Sequence, residues 1–323
     1  MALIVAAHDE EALIERRLSN LLALDYPTGQ LEIVVVSDGS TDRTDELVEA
    51  VAARHGHVRL LRVPRAGKVS AQNHAVRATT AEVLAFSDAN VFWQPDALRK
   101  LVRSFADPDV AYVCGHHFYE PADGTNREGT YSRFETWLRR NESRFGSITA
   151  GVGPIYAVRR EDYVDLDPRF GHDLALPYLL VQRGRRAVTE SEAVAWERPA
   201  PDLADEFRRK IRMFEHCWLI LLRGGMLRRL GPTYTLEIVS HRHLRYASGL
   251  LHIVLLASSV ALVGEGVVFE LVLAAQAVLL LAAIARSGIA RYYVLVTWAT
   301  IPALVNYLRS GVSPVWEKVE GTR

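Results

Sequence analysis

Glu32-Ile33-Val34-Val35-Val36-Ser37-Asp38-Gly39-Ser40-Thr41-Asp42 runs from an unbroken β-branched stretch into an acid, a glycine and two hydroxyl residues. Glu32–Ser37 reads as a strand, and the Asp-Gly-Ser cluster after it is a turn signal. Helical spacing follows at once over Asp42–His55. The same rhythm extends on either side. Leu3–Ala7, Val58–Val63, Val83–Ser87 and Ala111–Gly115 read as strands, and Glu10–Leu24, Ser70–Ala78 and Pro95–Phe105 as helices. Short strands alternating with helices predict an α/β fold with a largely parallel sheet. Ligands of open sheets of this kind sit beyond the carboxyl ends of the strands, so the residues just after each strand are the candidates for chemistry.

Three of those ends are acidic: Asp9-Glu10-Glu11, Asp38 to Asp42, and Asp88-Ala89-Asn90. Each alone is also an ordinary helix cap or turn. Together they line one sheet edge with carboxylates. That edge would repel a phosphate ligand unless a divalent cation or basic side chains stood between, which suggests a metal bridging carboxylate and diphosphate. Neither a Gly-x-Gly-x-x-Gly turn after the first strand nor a Gly-Lys-Ser/Thr loop occurs, against dehydrogenase and ATPase readings. Lys+Arg and Asp+Glu both total 38, so net charge offers no attraction to nucleic acid, and none is expected as a partner. Cys114 and Cys217 stand far apart without companion ligands and read as buried free thiols.

In series, these segments resemble the family 2 glycosyltransferases. Val5-Ala6-Ala7-His8-Asp9-Glu10-Glu11 is similar to that family's opening motif, and Val36-Ser37-Asp38-Gly39-Ser40-Thr41-Asp42 to its second. Arg65-Ala66-Gly67-Lys68 with Ala71-Gln72-Asn73, Phe86-Ser87-Asp88-Ala89-Asn90, Gly151-Val152-Gly153-Pro154 and His172-Asp173-Leu174 follow in the family's order. The resemblance implies a GT-A (Rossmann-like) catalytic domain over residues 1–202. It implies a nucleotide-diphospho-sugar donor, expected to be a UDP-sugar, bound by Ala7, Asp9, Glu10, Asp38, Lys68, Asn73 and Asp88. Mg2+ or Mn2+ is expected at Asp88 and Asn90. Asp173 is the expected general base of an inverting transfer, with Gly153, Arg209 and Arg212 on the acceptor and diphosphate side. The chain departs from the pattern at Asn90, in place of a second Asp, and at His172, in place of a Glu. Arg209-Lys210-Ile211-Arg212-Met213 stands where processive synthases of cellulose, chitin, hyaluronan or poly-N-acetylglucosamine carry Gln-x-x-Arg-Trp. Only the Arg is retained, as Arg212.

Composition shifts near residue 246. Leu203–Leu222 repeats apolar residues at helical spacing with Arg208, Arg209, Lys210 and Arg212 off the stripe, which suits an amphipathic interface helix; it opens a basic linker over 203–245. Tyr246–Gly264, Val267–Ala285 and Tyr292–Leu308 are then apolar, giving two to three expected transmembrane helices over 246–308 and a polar tail over 309–323. The third stretch is the weakest, being short and holding Pro302. Arg242 and Arg245 precede the first stretch, and Arg286 and Arg291 bracket a later link, placing the N-terminal domain in the cytoplasm. The start lacks a signal sequence, and Trp316-Glu317-Lys318-Val319-Glu320 resembles a short tail of bacterial family members. The expectation is a multi-pass inner-membrane enzyme acting on a polysaccharide or lipid-linked acceptor at the bilayer. A polyprenyl-phosphate monosaccharide transferase and a catalytically silent nucleotide-sugar-binding partner are the alternatives.

Overall fold

Ile33, Val34, Val35 and Val36 are wholly buried, as an apolar strand with a neighbour on each side must be. They lie in β2 (Glu32–Asp38), which pairs in parallel with β1 (Ala2–Ala7) and β3 (Val58–Val63). The structure is a computed structural model and describes residues 1–119, 129–197, 203–285 and 288–315. Arg286, Lys318 and the tail motif Trp316–Glu320 lie outside the described residues.

β4 (Val83–Asp88) pairs in parallel with the other side of β1. Beyond it come β5 (Phe92–Trp93), β6 (Val110–Tyr119), β7 (Ile155–Arg159) and β8 (Arg186–Glu197), closing an eight-stranded sheet of order β3-β2-β1-β4-β7-β6-β8-β5. The β1–β2, β2–β3, β1–β4 and β6–β8 pairings are parallel, whereas β7 runs antiparallel to both its neighbours and β5 antiparallel to β8. The parallel register sets Ala6 opposite Asp88 and Ala7 opposite Ser37, so the ends of β1, β2 and β4 reach one edge together.

Around the sheet stand α1 (Ile14–Leu22), α2 (Thr44–Ala52), α3 (Lys68–Arg77), α4 (Ala97–Arg103), α5 (Gly129–Phe145) and α6 (His172–Val181). Helix α1 starts four residues later than the periodicity suggests. Asp9 takes a left-handed φ of 50°, and the Glu10 backbone N–H donates to Thr44 Oγ1 at 2.6 Å instead of entering a helix. Strands β5, β7 and β8 and helix α5 were not anticipated. In β8, Thr-Glu-Ser-Glu shows no apolar alternation, and the strand exists because β6 pairs along it through two register shifts. Cys114 and Cys217 are buried free thiols, as expected.

These elements, with residues 226–235 and 313–315, form the first of two compact units. The second comprises the described residues of 203–225 and 236–312. It holds α7 (Leu203–Arg223), whose Phe214 and Trp218 are buried. Helix α8 (Pro232–Ile238) leads through a π-helical turn at Val239–His243 and the short α9 (Leu244–Tyr246) to α10 (Ser248–Ala261), followed by α11 (Val267–Ile284) and α12 (Gly288–Ser310). Trp218 Nε1 donates to the Thr300 carbonyl at 2.9 Å, seating α7 on α12.

Two of these helices, Val267–Ile284 and Gly288–Ser310, are long and apolar enough to cross a membrane. The first apolar stretch forms α10, whose 14 residues are short of a span by themselves. Pro232–Tyr246 and Ser248–Ala261 meet at a 70° bend just after the π-helical turn, and count as a third span only if taken together. The third stretch extends further back than its composition suggests and reaches 23 residues despite Pro302.

Candidate functional site

The carboxyl edge of the sheet is built from four loops. After β1, Asp9 Oδ1 accepts the Thr41 backbone N–H at 2.7 Å, and the Asp9 backbone N–H donates to Ser40 Oγ at 3.2 Å. The Glu11 N–H reaches Asp42 Oδ2 at 3.1 Å, and the Arg43 N–H reaches Glu11 Oε2 at 3.1 Å. The two acidic motifs therefore clamp one another, and the unusual φ of Asp9 is held by partners on both sides. Glu10 is buried beside them.

After β2, Asp38 is 1% exposed and fully engaged. It accepts Arg65 Nη1 at 2.7 Å and the backbone N–H groups of Ala66 and Gly67 at 2.7 and 2.9 Å. One buried carboxylate thus shapes the loop that delivers Lys68. Gly67 takes φ 93°, and a Cβ there would sit 2.0 Å from the carbonyl oxygen of Pro314, so only glycine fits this approach. Asp38→Ala leaves these donors without their acceptor. It is expected to destabilise the first unit by about 2–4 kcal/mol, read as a lower Tm, and to raise the KM for donor.

Lys68 opens α3 and forms an ion pair with Asp88 at the end of β4. Burial opposes the Lys68 charge, but Asp88, with Asp173 and Glu197 further off, outweighs it and raises the ammonium pKa. Arg17 on α1, which no sequence motif singles out, is a fully buried cation. Its Nη2 donates to Ser87 Oγ at 2.7 Å, next to Asp88. Burial draws its guanidinium down to about 9, with Asp88 acting against that shift.

Asp173 stands in the first turn of α6. Its backbone carbonyl accepts the Gly151 N–H at 2.7 Å, and Gly153 lies so close that a Cβ would contact the carboxyl group at 3.4 Å. Burial raises the Asp173 pKa, and the Lys68 charge works against that rise. The glycine segment and the acid after it, far apart in sequence, therefore meet. Gly151 must be glycine because a Cβ would fall 1.9 Å from the Tyr112 hydroxyl.

His172 is the departure whose surroundings the structure defines best. It is 3% exposed, with Tyr156 Oη 2.9 Å from Nδ1 and Tyr163 Oη 3.0 Å from Nε2. Tyr163 spends its only proton on Asn73 Oδ1 at 2.6 Å, so it accepts from His172 Nε2–H, and Nδ1 accepts from Tyr156. Asn73 is held in turn by its Nδ2 on the Leu166 carbonyl at 2.9 Å, and Phe86 stacks on Tyr156 at 4.8 Å. This chain joins α3 to α6 through a neutral imidazole. Burial, and then Lys68, depress the His172 pKa to about 3. A depressed histidine gives stability that is complete above the unfolded value of about 6.5 and is lost as pH falls toward 3. Between pH 7 and 5, wild type is therefore expected to lose about 2 kcal/mol that a His172→Gln variant keeps, read from thermal unfolding at the two pH values.

Ala7, Asp9, Glu10, Asp38, Lys68, Asn73, Asp88, Gly153 and Asp173 all lie in the first unit, and Lys68 is within electrostatic reach of both Asp88 and Asp173. Arg209 and Arg212 lie on α7 in the second unit, where Arg209 is paired with Glu206 at 2.8 Å. Phe214 and Trp218, buried at 1% and 5% exposure, offer no stacking surface in place of the missing Trp. Among the described residues no group of three or more His, Cys, Asp or Glu could hold a metal. Asp88 and Asn90 supply hard oxygen donors of the kind that Mg2+ or Mn2+ takes.

Comparison with known proteins identifies the family. The model of a family described as Glycosyl transferase family 2 matches residues 2–166, from β1 to the segment before α6. A poly-beta-1,6-N-acetyl-D-glucosamine synthase from Staphylococcus aureus (strain COL) is 24% identical over 228 residues, covering 68% of this chain and 55% of that protein. A beta-monoglucosyldiacylglycerol synthase from Nostoc is 33% identical over 167 residues, covering 50% of this chain and 36% of that protein. The chain thus spans about half or less of the length of these curated relatives. Among solved structures, a mannosyltransferase from Pyrobaculum calidifontis in complex with GDP-Man and Mn2+ aligns with a TM-score of 0.75 at 26% identity, covering 95% of this chain and 86% of that one.

Proposed function

Because this chain belongs to glycosyl transferase family 2, we propose that it transfers a sugar, with inversion, from a nucleotide-diphospho-sugar to a polysaccharide or membrane-associated acceptor. The observation that carries the reading is the meeting of Asp38, Lys68, Asp88 and Asp173 at the carboxyl edge of one sheet.

An acceptor hydroxyl is a weak nucleophile, and Asp173 is the carboxylate placed to take its proton as it attacks the anomeric carbon. Inversion follows from a single displacement with no covalent enzyme intermediate. Lys68 offers charge to the diphosphate leaving group. Asp88 and Asn90 would hold the divalent ion, which supplies Lewis-acid stabilisation of that leaving group when bound. Asp38 shapes the loop that presents Lys68. Asn73, Tyr163, His172 and Tyr156 keep α3 and α6 in register, so that cation and base stay aligned.

We take a UDP-sugar as donor from the motif pattern. GDP-mannose is the second reading, favoured by the donor bound in the Pyrobaculum structure, whose Mn2+ likewise makes Mn2+ the first ion to try. Two spanning-length apolar helices and the basic flanks Arg242 and Arg245 support a multi-pass membrane protein with its catalytic unit on the cytoplasmic side.

The test is nucleotide release from UDP-, GDP- and dTDP-sugars by detergent-solubilised protein with Mn2+ or Mg2+. One donor is expected to be turned over, and Asp173→Asn to abolish the signal. Turnover of that donor undiminished in excess chelator would remove the metal. Silence across all donors, acceptors included, would favour a nucleotide-sugar-binding protein without catalysis.

A further inference from the structure

Helix α5 sorts its charges by face. Glu135 and Glu142, seven residues apart, are buried at 7% and 2% exposure. Glu135 pairs with Arg139 at 3.3 Å, and Glu142 accepts the Thr149 hydroxyl at 2.8 Å. Arg133, Arg140 and Arg144 lie on the exposed side at spacings of seven and four, and open a cavity of about 410 Å3 shared with Trp137, Thr136 and His116. Arg140 and Arg144 have no carboxylate partner among the described residues, whereas the neighbouring Arg139 pairs with Glu135.

The rim of this cavity is aromatic. Trp137 is 61% exposed and stacks at 6.0 Å on Phe134, itself 53% exposed, and Phe145 is 78% exposed at the helix end. Water gives three large rings no reason to stand out on a helix whose acids are turned inward. Guanidinium groups beside exposed Trp and Phe match the boundary of a bilayer, where phosphates meet the first acyl carbons.

We propose that the α5 cavity binds the phosphate of an anionic phospholipid headgroup, with Arg133, Arg140 and Arg144 around the phosphate and Trp137 and Phe134 against the acyl–glycerol region. The chemistry selects this ligand. Clustered guanidinium groups favour phosphate oxygens, the aromatic rim favours an attached apolar chain, and the chain's overall charge balance gives no general attraction to polyanions. The inference rests on the membrane reading above and adds a lipid-selective contact to the catalytic unit.

The experiment reconstitutes the full chain in nanodiscs containing equal phosphatidylcholine and phosphatidylglycerol, then uses native mass spectrometry to compare the lipids retained on release. Wild type is expected to retain phosphatidylglycerol over phosphatidylcholine. The Arg140→Gln/Arg144→Gln variant is expected to lose that preference by roughly tenfold or more. An Arg54→Gln/Arg183→Gln variant, with the same charge removed from other exposed positions, is expected to keep it. Equal retention of both lipids by wild type, or an unchanged preference in the α5 variant, would overturn the proposal. Displacement of the retained lipid by inorganic phosphate would make free phosphate the ligand, and displacement by a polyprenyl phosphate would make the site an acceptor site; either would overturn the phospholipid assignment. A chain that stays in buffer without detergent and never enters the discs would instead sink the membrane reading itself.

Discussion

Asp173→Asn is expected to lower kcat by about 10²–10⁴-fold while changing the KM for donor only slightly, because the amide keeps the shape of the carboxyl group but cannot take the acceptor's proton. Steady-state kinetics with the donor found in the panel read this directly. A loss confined to KM would mean that Asp173 binds and does not act as a base. The pH profile gives an independent check. Only the ionised carboxylate accepts a proton, so kcat falls as pH drops through the pKa of Asp173. Burial raises that pKa above the ordinary carboxylate value of 3.8. The acid limb of kcat should therefore lie above that of an exposed aspartate. Lys68 acts against the rise, so a Lys68→Met variant with residual activity should show its acid limb at still higher pH.

Asp88→Asn is expected to cost about 10²–10³-fold in kcat and to weaken the response to divalent ion, since it removes the carboxylate proposed to hold the cation near the leaving group. Metal titrations of wild type and variant separate this from a structural defect: the folded variant should need more Mn2+ for half-maximal rate, over and above any fall in Tm from loss of the counter-charge to Arg17 and Lys68. The substitution also releases Lys68 from its ion pair. If the variant remained as active and as metal-responsive as wild type, the cation would have to be held elsewhere, and Asp88 would be only a counter-ion to Lys68.

The acidic edge expected from the motifs is, in the folded chain, a set of engaged groups. Asp9 is clamped to the Ser40–Thr41 turn, and Asp38 is spent on the loop before Lys68. Of the acids at the strand ends, Asp88 is the one set directly against the cation that faces the site. On α7, Arg209 pairs with Glu206, and Phe214 and Trp218 are buried.

What the sequence by itself determined was what local chemistry encodes. The β-branched run Ile33–Val36 specifies a strand, the acid and glycine after it specify a strand end, and the spacing of such segments specifies an α/β sheet with an acidic carboxyl edge. The long apolar stretches near the C-terminus are equally local. The tertiary structure alone decided what depends on residues distant in the chain. Strand β8 carries no alternation of its own and is made by pairing with β6. Arg17 looks like a surface residue until Ser87 is brought against it beside Asp88, and His172 looks like a lost carboxylate until Tyr156 and Tyr163 are brought to its ring from 16 and 9 positions away, with Asn73 holding Tyr163 in turn. Burial and hydrogen bonding across such separations set the pKa of Asp173 and the neutrality of His172, because desolvation is a property of the assembled site and not of any segment that enters it.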